Sequence, residues 1–229
     1  MNKNDFFSFE DDNQDFPMYN DGTFDSKNNL LTVGLMILLF VFLALGPVRF
    51  NDGNQQIIFF LVTLIPFLLL TKCDLSPYFR KLSLNDVRLI IVMYILGKVL
   101  YLITYFFLGL INFQTTSSTV TDLSAFTLFL NLFQIIGEEF FRIFLFLLIM
   151  YLAYKYTNNR KTSIIISTVI TLLIFGALHI NTYNNLIQII LFQGLGSIVE
   201  LLGYIKTKNI VVAIIIHILI NLSNWVLLL

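Results

Sequence analysis

The sequence predicts an all-α, polytopic membrane protein: a transmembrane helix bundle of about seven spans behind a disordered, acidic N-terminal tail. Three observations carry that prediction. Apolar residues make up 57% of the chain and charged residues 12%, a balance suited to lipid rather than water. The apolar residues fall into seven runs, at about 30–48, 56–71, 87–111, 124–153, 162–181, 184–205 and 209–228. Each is near the length that crosses ~30 Å of hydrocarbon, allowing for tilt. Lysine and arginine collect in alternate connections between the runs.

Residues 1–29 carry seven acidic side chains, from Asp5 to Asp25, among Asn, Ser and Gly, with scattered Phe and Tyr. No apolar periodicity runs through them, so they read as a tail without structure, in front of a transmembrane domain over 30–229. A cleavable leader is not expected, because the first apolar run starts only near Leu30 and the residues before it are acidic. The second run contains Pro66, a kink that neighbouring helices tolerate. The fourth is longer than a span needs.

Loop charge sets the expected orientation. Lys72, Arg80, Lys81 and Arg88 follow the second run, Lys155, Arg160 and Lys161 the fourth, and Lys206 and Lys208 the sixth. The intervening loops hold only Arg49. The positive-inside rule then places the chain in the cell membrane with its N-terminus cytoplasmic and its C-terminus outside. Leu75–Val87 reads as a short amphipathic helix on the inner surface. Formal charge balances to zero, so no basic field points to nucleic acid. A single cysteine, Cys73, rules out an intramolecular disulfide.

Against this apolar background a few polar residues stand out. The fourth run contains GEEFFR, Gly137 to Arg142. An ionisable group at bilayer depth costs roughly 2.5–3.5 kcal/mol on insertion scales, so such groups usually face a bundle interior and usually do something there. Helical spacing puts Glu138 and Arg142 on one face, with Glu139 about 100° round. The fifth run ends FGALH, with Phe175 and His179; the seventh contains HILIN, with His217 and Asn221 four apart. Both histidines of the chain lie in these runs. Two imidazoles, two carboxylates, an amide and a guanidinium are an adequate kit for hydrolysis: a carboxylate to deprotonate water, donors for an oxyanion, and an arginine to hold the acids. His179 lies close to the outer end of its run, so convergence requires the fourth span to begin nearer Asn131 or the fifth to continue through Tyr183. Of the remaining polar groups, Lys98 is expected to snorkel or to pair with a motif carboxylate, and Glu200 to reach the interface or a nearby lysine.

The ordered set, Glu-Glu with a nearby Arg, then Phe-x-x-x-His, then His-x-x-x-Asn on later spans, resembles the CAAX protease and bacteriocin-processing (CPBP, or Abi) family over roughly Phe126 to Leu229. The resemblance implies an intramembrane endopeptidase acting on a peptide or lipidated peptide among membrane lipids, with roles in bacteriocin maturation or self-immunity. It implies Glu138 or Glu139 as water activator, His179 as its partner, and His217 with Asn221 on the oxyanion side. One departure matters. The family has three residues between the second Glu and the Arg; here there are two, Phe140 and Phe141. Matching on the carboxylates makes Glu138 the catalytic position, whereas matching on the arginine puts Gly137 there. The second match would suit an inactive immunity or regulatory scaffold that binds a peptide or protein partner. The family resemblance favours a mechanism without a cofactor, although Glu138, His179 and His217 could also be read as three zinc ligands.

Overall fold

A computed structural model describes residues 9–10, 14–18, 22–46, 54–115, 124–183 and 185–226. The other tail residues, Arg49, the loop 116–123 and the end of the last run lie outside these. Every expected run forms helix: α1 (Lys27–Leu45), α2 (Asn54–Thr71), α3 (Leu84–Leu110), α4 (Ala125–Thr157) and α5 (Arg160–Ala177). Two short turns, α6 (Ile180–Tyr183) and α7 (Leu186–Gln188), follow. A π-helical turn at Ile189–Gly194 and a 3₁₀ turn at Leu195–Ser197 lead into α8 (Ile198–Thr207), and α9 (Ile210–Val226) closes the bundle. By length and composition α1, α2, α3, α5 and the stretch Leu186–Thr207 can each cross a membrane, and Ile210–Asn224 is a shorter apolar helix. The 33-residue α4 carries the charged cluster.

Local chemistry sets the boundaries. Ser83 and Asp86 form a reciprocal capping box at the start of α3. Ser124 caps α4 by accepting from the Thr127 amide, and Asn159 caps α5 by accepting from that of Thr162. α4 ends at Asn158 and α8 at Lys208, both left-handed, at φ 47° and 52°.

Helix α4 is central, packing against α5, α2 and α9. Its stretch Phe140–Leu147 is buried all round, as a helix surrounded by neighbours requires. Phe67 of α2 stacks on Phe140 at 4.9 Å and Phe40 of α1 on Phe141 at 4.2 Å. The outer helices expose large apolar side chains, among them Leu38, Leu69 and Phe106, each more than 60% exposed. A surface of that kind is stable in hydrocarbon and not in water. α5 approaches the π turn closely: a Cβ on Gly176 would lie 2.9 Å from the Gly194 Cα.

Two expectations change. Leu75–Val87 is not one amphipathic helix; helix begins at Leu84. The preceding residues form a strap stitched to the α8–α9 turn. The Ile210 amide donates to the Tyr78 carbonyl at 2.9 Å, Arg80 donates to the Thr207 carbonyl, and the Asn209 side chain donates to the Arg80 carbonyl. These are long-range bonds with no local signature. The tail, expected to lack structure, is docked at its described residues. Glu10 is buried against Arg160 at 2.6 Å and Lys208 at 3.2 Å, and Asp15 also pairs with Arg160. Phe16 lies under both cations, its ring centroid 5.0 Å from Arg160 Cζ and 5.2 Å from Lys208 Nζ, and packs on Phe146 and Tyr204. The tail's acids thus meet the basic loops, and its aromatics give the contact an apolar floor.

Candidate functional site

A cavity of about 510 Å³ lies between α3, α4, α9 and the segment Phe175–Glu200. It occupies the half of the bundle away from the docked tail, towards the start of α4 and the end of α9. Glu138, Arg142, His179, His217 and Asn221 all line it. Glu139 stands behind the wall, fully buried. All six residues singled out by spacing therefore assemble in one place.

α5 stops at Ala177 and a further helical turn, α6, carries the chain through Tyr183, with His179 at the junction in the cavity wall. His179 Nδ1 lies 2.9 Å from the Phe175 carbonyl oxygen. A carbonyl only accepts, so Nδ1 carries the proton and Nε2 is the ring's other, basic nitrogen.

The two carboxylates have different environments. Glu139 Oε1 accepts from Arg142 Nη2 at 2.6 Å and from His217 Nδ1 at 2.6 Å. Arg142, itself fully buried, also donates to the Ser197 carbonyl at 3.1 Å, lies 3.5 Å from Glu200 Oε2, and stacks over Phe175 with Cζ 4.2 Å from the ring centroid. Glu138 instead faces the cavity, its side chain 12% exposed, with Oε2 3.8 Å from His217 Nε2. Its Oε1 accepts from Gln134 Nε2 at 2.7 Å. Glu139 and Arg142 thus orient His217, whose Nε2 is turned towards Glu138.

A Cβ at Gly137 would lie 3.0 Å from the Phe60 Cα and amide nitrogen, so position 137 faces the α2 backbone rather than the cavity. The carboxylate in the cavity wall is Glu138. The shortened spacing still closes the Glu139–Arg142 pair, now at i,i+3.

Two residues of the site escape sequence reasoning. Gln134 has a signal: it precedes Glu138 by four and shares its face. Glu200 has none. It is 3% exposed beside Arg142, not at an interface or on a lysine. The π turn before it inserts an extra residue and swings it inward. Lys98 pairs with no motif carboxylate; it donates to Asn224 Oδ1 at 2.6 Å. In the zinc set of Glu138, His179 and His217, His217 Nδ1 is held by Glu139 and His179 Nδ1 by a carbonyl, the support that leaves Nε2 as the ligating nitrogen of a metal-bound histidine; among the described residues no three His, Cys, Asp or Glu groups gather as ligands for one ion.

A second recess of about 290 Å³ adjoins the first, with Phe40 and Phe59 in its wall. The two share Gln134, Glu138, Phe175, His179 and Thr182. Glu138 and His179 therefore stand where two pockets meet.

Fold and cavity together define a multi-pass membrane protein with an acid, imidazole and amide site enclosed by its helices. A family model described as type II CAAX prenyl endopeptidase Rce1-like matches residues 78–223, well over half the chain, and the chain belongs to that family. The match takes in the strap, α3 and all six site residues. No curated protein and no solved structure matches the chain. The family is one of CAAX-protease-type peptidases, which implies a peptide substrate and a membrane setting.

Proposed function

We propose that this chain is an intramembrane endopeptidase in which Glu138 activates water. The observation that carries the reading is that Glu138, His179, His217 and Asn221, from three separate parts of the chain, line one cavity. Glu138 takes a proton from water as the hydroxide adds to the scissile carbonyl carbon. His179 Nε2 shares that proton. The oxyanion is met by the Asn221 amide and by His217, which as imidazolium donates through Nε2 because Nδ1 is engaged by Glu139. Collapse of the tetrahedral intermediate breaks the C–N bond, and the proton held by Glu138 passes to the leaving amine. Glu139 and Arg142 are positioning residues. The substrate is a peptide or lipidated peptide lying across the junction of the two recesses. Loop charge supports a cell-membrane location with the tail inside, and the tail and the basic loops after α2, α4 and α8 share one end of the bundle.

The test is cleavage of prenylated and unmodified quenched peptides by protein in liposomes. Glu138→Gln and His179→Ala should each lower the rate by about 10²-fold or more while leaving the unfolding midpoint in place. A Glu138→Gln protein as active as wild type would defeat the assignment. The rival reading, an inactive immunity scaffold, drew its support from the shortened Glu-to-Arg spacing. It predicts that cells keep their protection from a peptide toxin when Glu138 becomes Gln, whereas the hydrolase reading predicts that any such protection is lost.

A further inference from the structure

Two helices carry matching polar stripes along the main cavity. On α4 the stripe is Asn131, Gln134 and Glu138, and on α9 it is Asn224, Asn221 and His217; all six residues line the cavity. Spacings of three and four residues keep each set on one helix face. The two helices run in opposite directions, because Arg160, just after α4, and Lys208, just before α9, both pair with Glu10. The stripes therefore extend the same way from Glu138 and His217, whose side chains approach to 3.8 Å. Two of the amides are fixed in orientation by their neighbours. Gln134 Nε2 donates to Glu138 Oε1 at 2.7 Å, and a carboxylate only accepts, so the Gln134 oxygen is the end turned away from it. Asn224 Oδ1 accepts from Lys98 Nζ at 2.6 Å, and an ammonium only donates, so the Asn224 amide protons are the end turned away. One wall thus offers an acceptor and the other a donor.

We propose that the two stripes form a groove that binds an extended peptide by its main chain, with Gln134 accepting from a substrate N–H and Asn224 donating to a substrate carbonyl. The inference rests on the peptidase reading of the cavity and adds the form in which substrate is taken, an unwound strand held by its backbone. Gln134 lies four residues before Glu138, about 6 Å along α4, and Asn224 seven beyond His217, about 10 Å along α9. An extended chain advances about 3.3 Å per residue. The N–H therefore belongs to a residue about two places from the scissile bond, and the carbonyl to the residue next beyond it. Successive residues of a strand turn their main-chain groups to opposite sides, as an acceptor on one wall and a donor on the other require. Depth explains why such partners are needed. An unwound segment has lost the hydrogen bonds of its own helix, and hydrocarbon offers none in their place. Amides supply both donors and acceptors without the cost of burying a charge.

The test replaces main-chain groups one at a time. Wild-type protein in liposomes is given degenerate hexapeptide pools: one unmodified, a set with a single amide replaced by an ester, and a set with a single amide replaced by a trans-alkene. The ester lacks the N–H, and the alkene lacks the carbonyl as well. Mass spectrometry of the products shows where each cut falls relative to the replaced group. Cuts at one fixed distance from an ester, about two residues, should be depleted about threefold or more against the unmodified pool. Alkenes should add a depletion of similar size that esters do not reproduce. Gln134→Met should erase the ester pattern whatever it does to the overall rate, and Asn224→Leu should erase the part specific to alkenes. Cuts spread evenly about the replaced groups in wild type, or depletions unchanged in both variants, overturn the proposal while leaving the peptidase reading in place. An unmodified pool that yields no product defeats that reading, and this inference with it.

Discussion

Arg142 is the residue on which most buried charge converges. It meets Glu139 at 2.6 Å and Glu200 at 3.5 Å, all three shielded from solvent. Glu139 is held by two donors, both on Oε1, while its own Oε2 and the Oε2 of Glu200 have no hydrogen-bond partner among the described residues. The two acids should therefore respond differently to neutralisation. Arg142→Met strands a buried carboxylate and should cost about 3–5 kcal/mol. Glu200→Gln relieves an excess of negative charge around one guanidinium and should shift stability by less than about 1 kcal/mol. Denaturant unfolding in one detergent reads both. Glu139→Gln belongs with the first in stability. It should also impair turnover, because His217 loses the charged acceptor that orients it.

At the scale of elements, the wall of the site depends on how closely α5 meets the π turn. Gly176→Ala puts a methyl 2.9 Å from the Gly194 Cα, a contact that one of the two backbones has to relieve. That overpacking should cost about 1–3 kcal/mol and displace Phe175 and His179. Gly109→Ala, in α3 with open space around it, is the control and should be neutral or stabilising by up to about 1 kcal/mol. Thermal melts of the two variants measure the contrast. These elements also mark what can be read from sequence. Each apolar run became helix within a few residues, because length and hydropathy suffice to specify a span. The motif spacings also sufficed to gather Glu138, His179, His217 and Asn221. The π turn was not legible: Leu186–Ser197 is apolar without a proline or a charge to announce a change of pitch, and so the inward swing of Glu200 was hidden. The strap from Tyr78 to Arg80 was hidden too, because its partners are some 130 residues away.

For the molecule as a whole, the described residues of the tail are part of the folded unit. Glu10, Arg160 and Lys208 form a charge cluster with side chains 0–2% exposed, floored by Phe16. Glu10→Gln with Asp15→Asn removes two acids that pair with Arg160 and Lys208, so it should lower the thermal midpoint and open the tail to protease. The N-terminal fragments released by limited trypsin digestion would show it. This cluster also carries a consequence for biogenesis. Glu10 leaves the ribosome among the first residues of the sequence, yet one of its partners is synthesised 150 positions later and the other 198. Until both have emerged, Glu10 cannot make these two pairings. Its latching is a late event that reports completion of nearly the entire bundle. Nascent chains stalled before Lys208 should therefore lose this segment to an added protease that spares the finished protein.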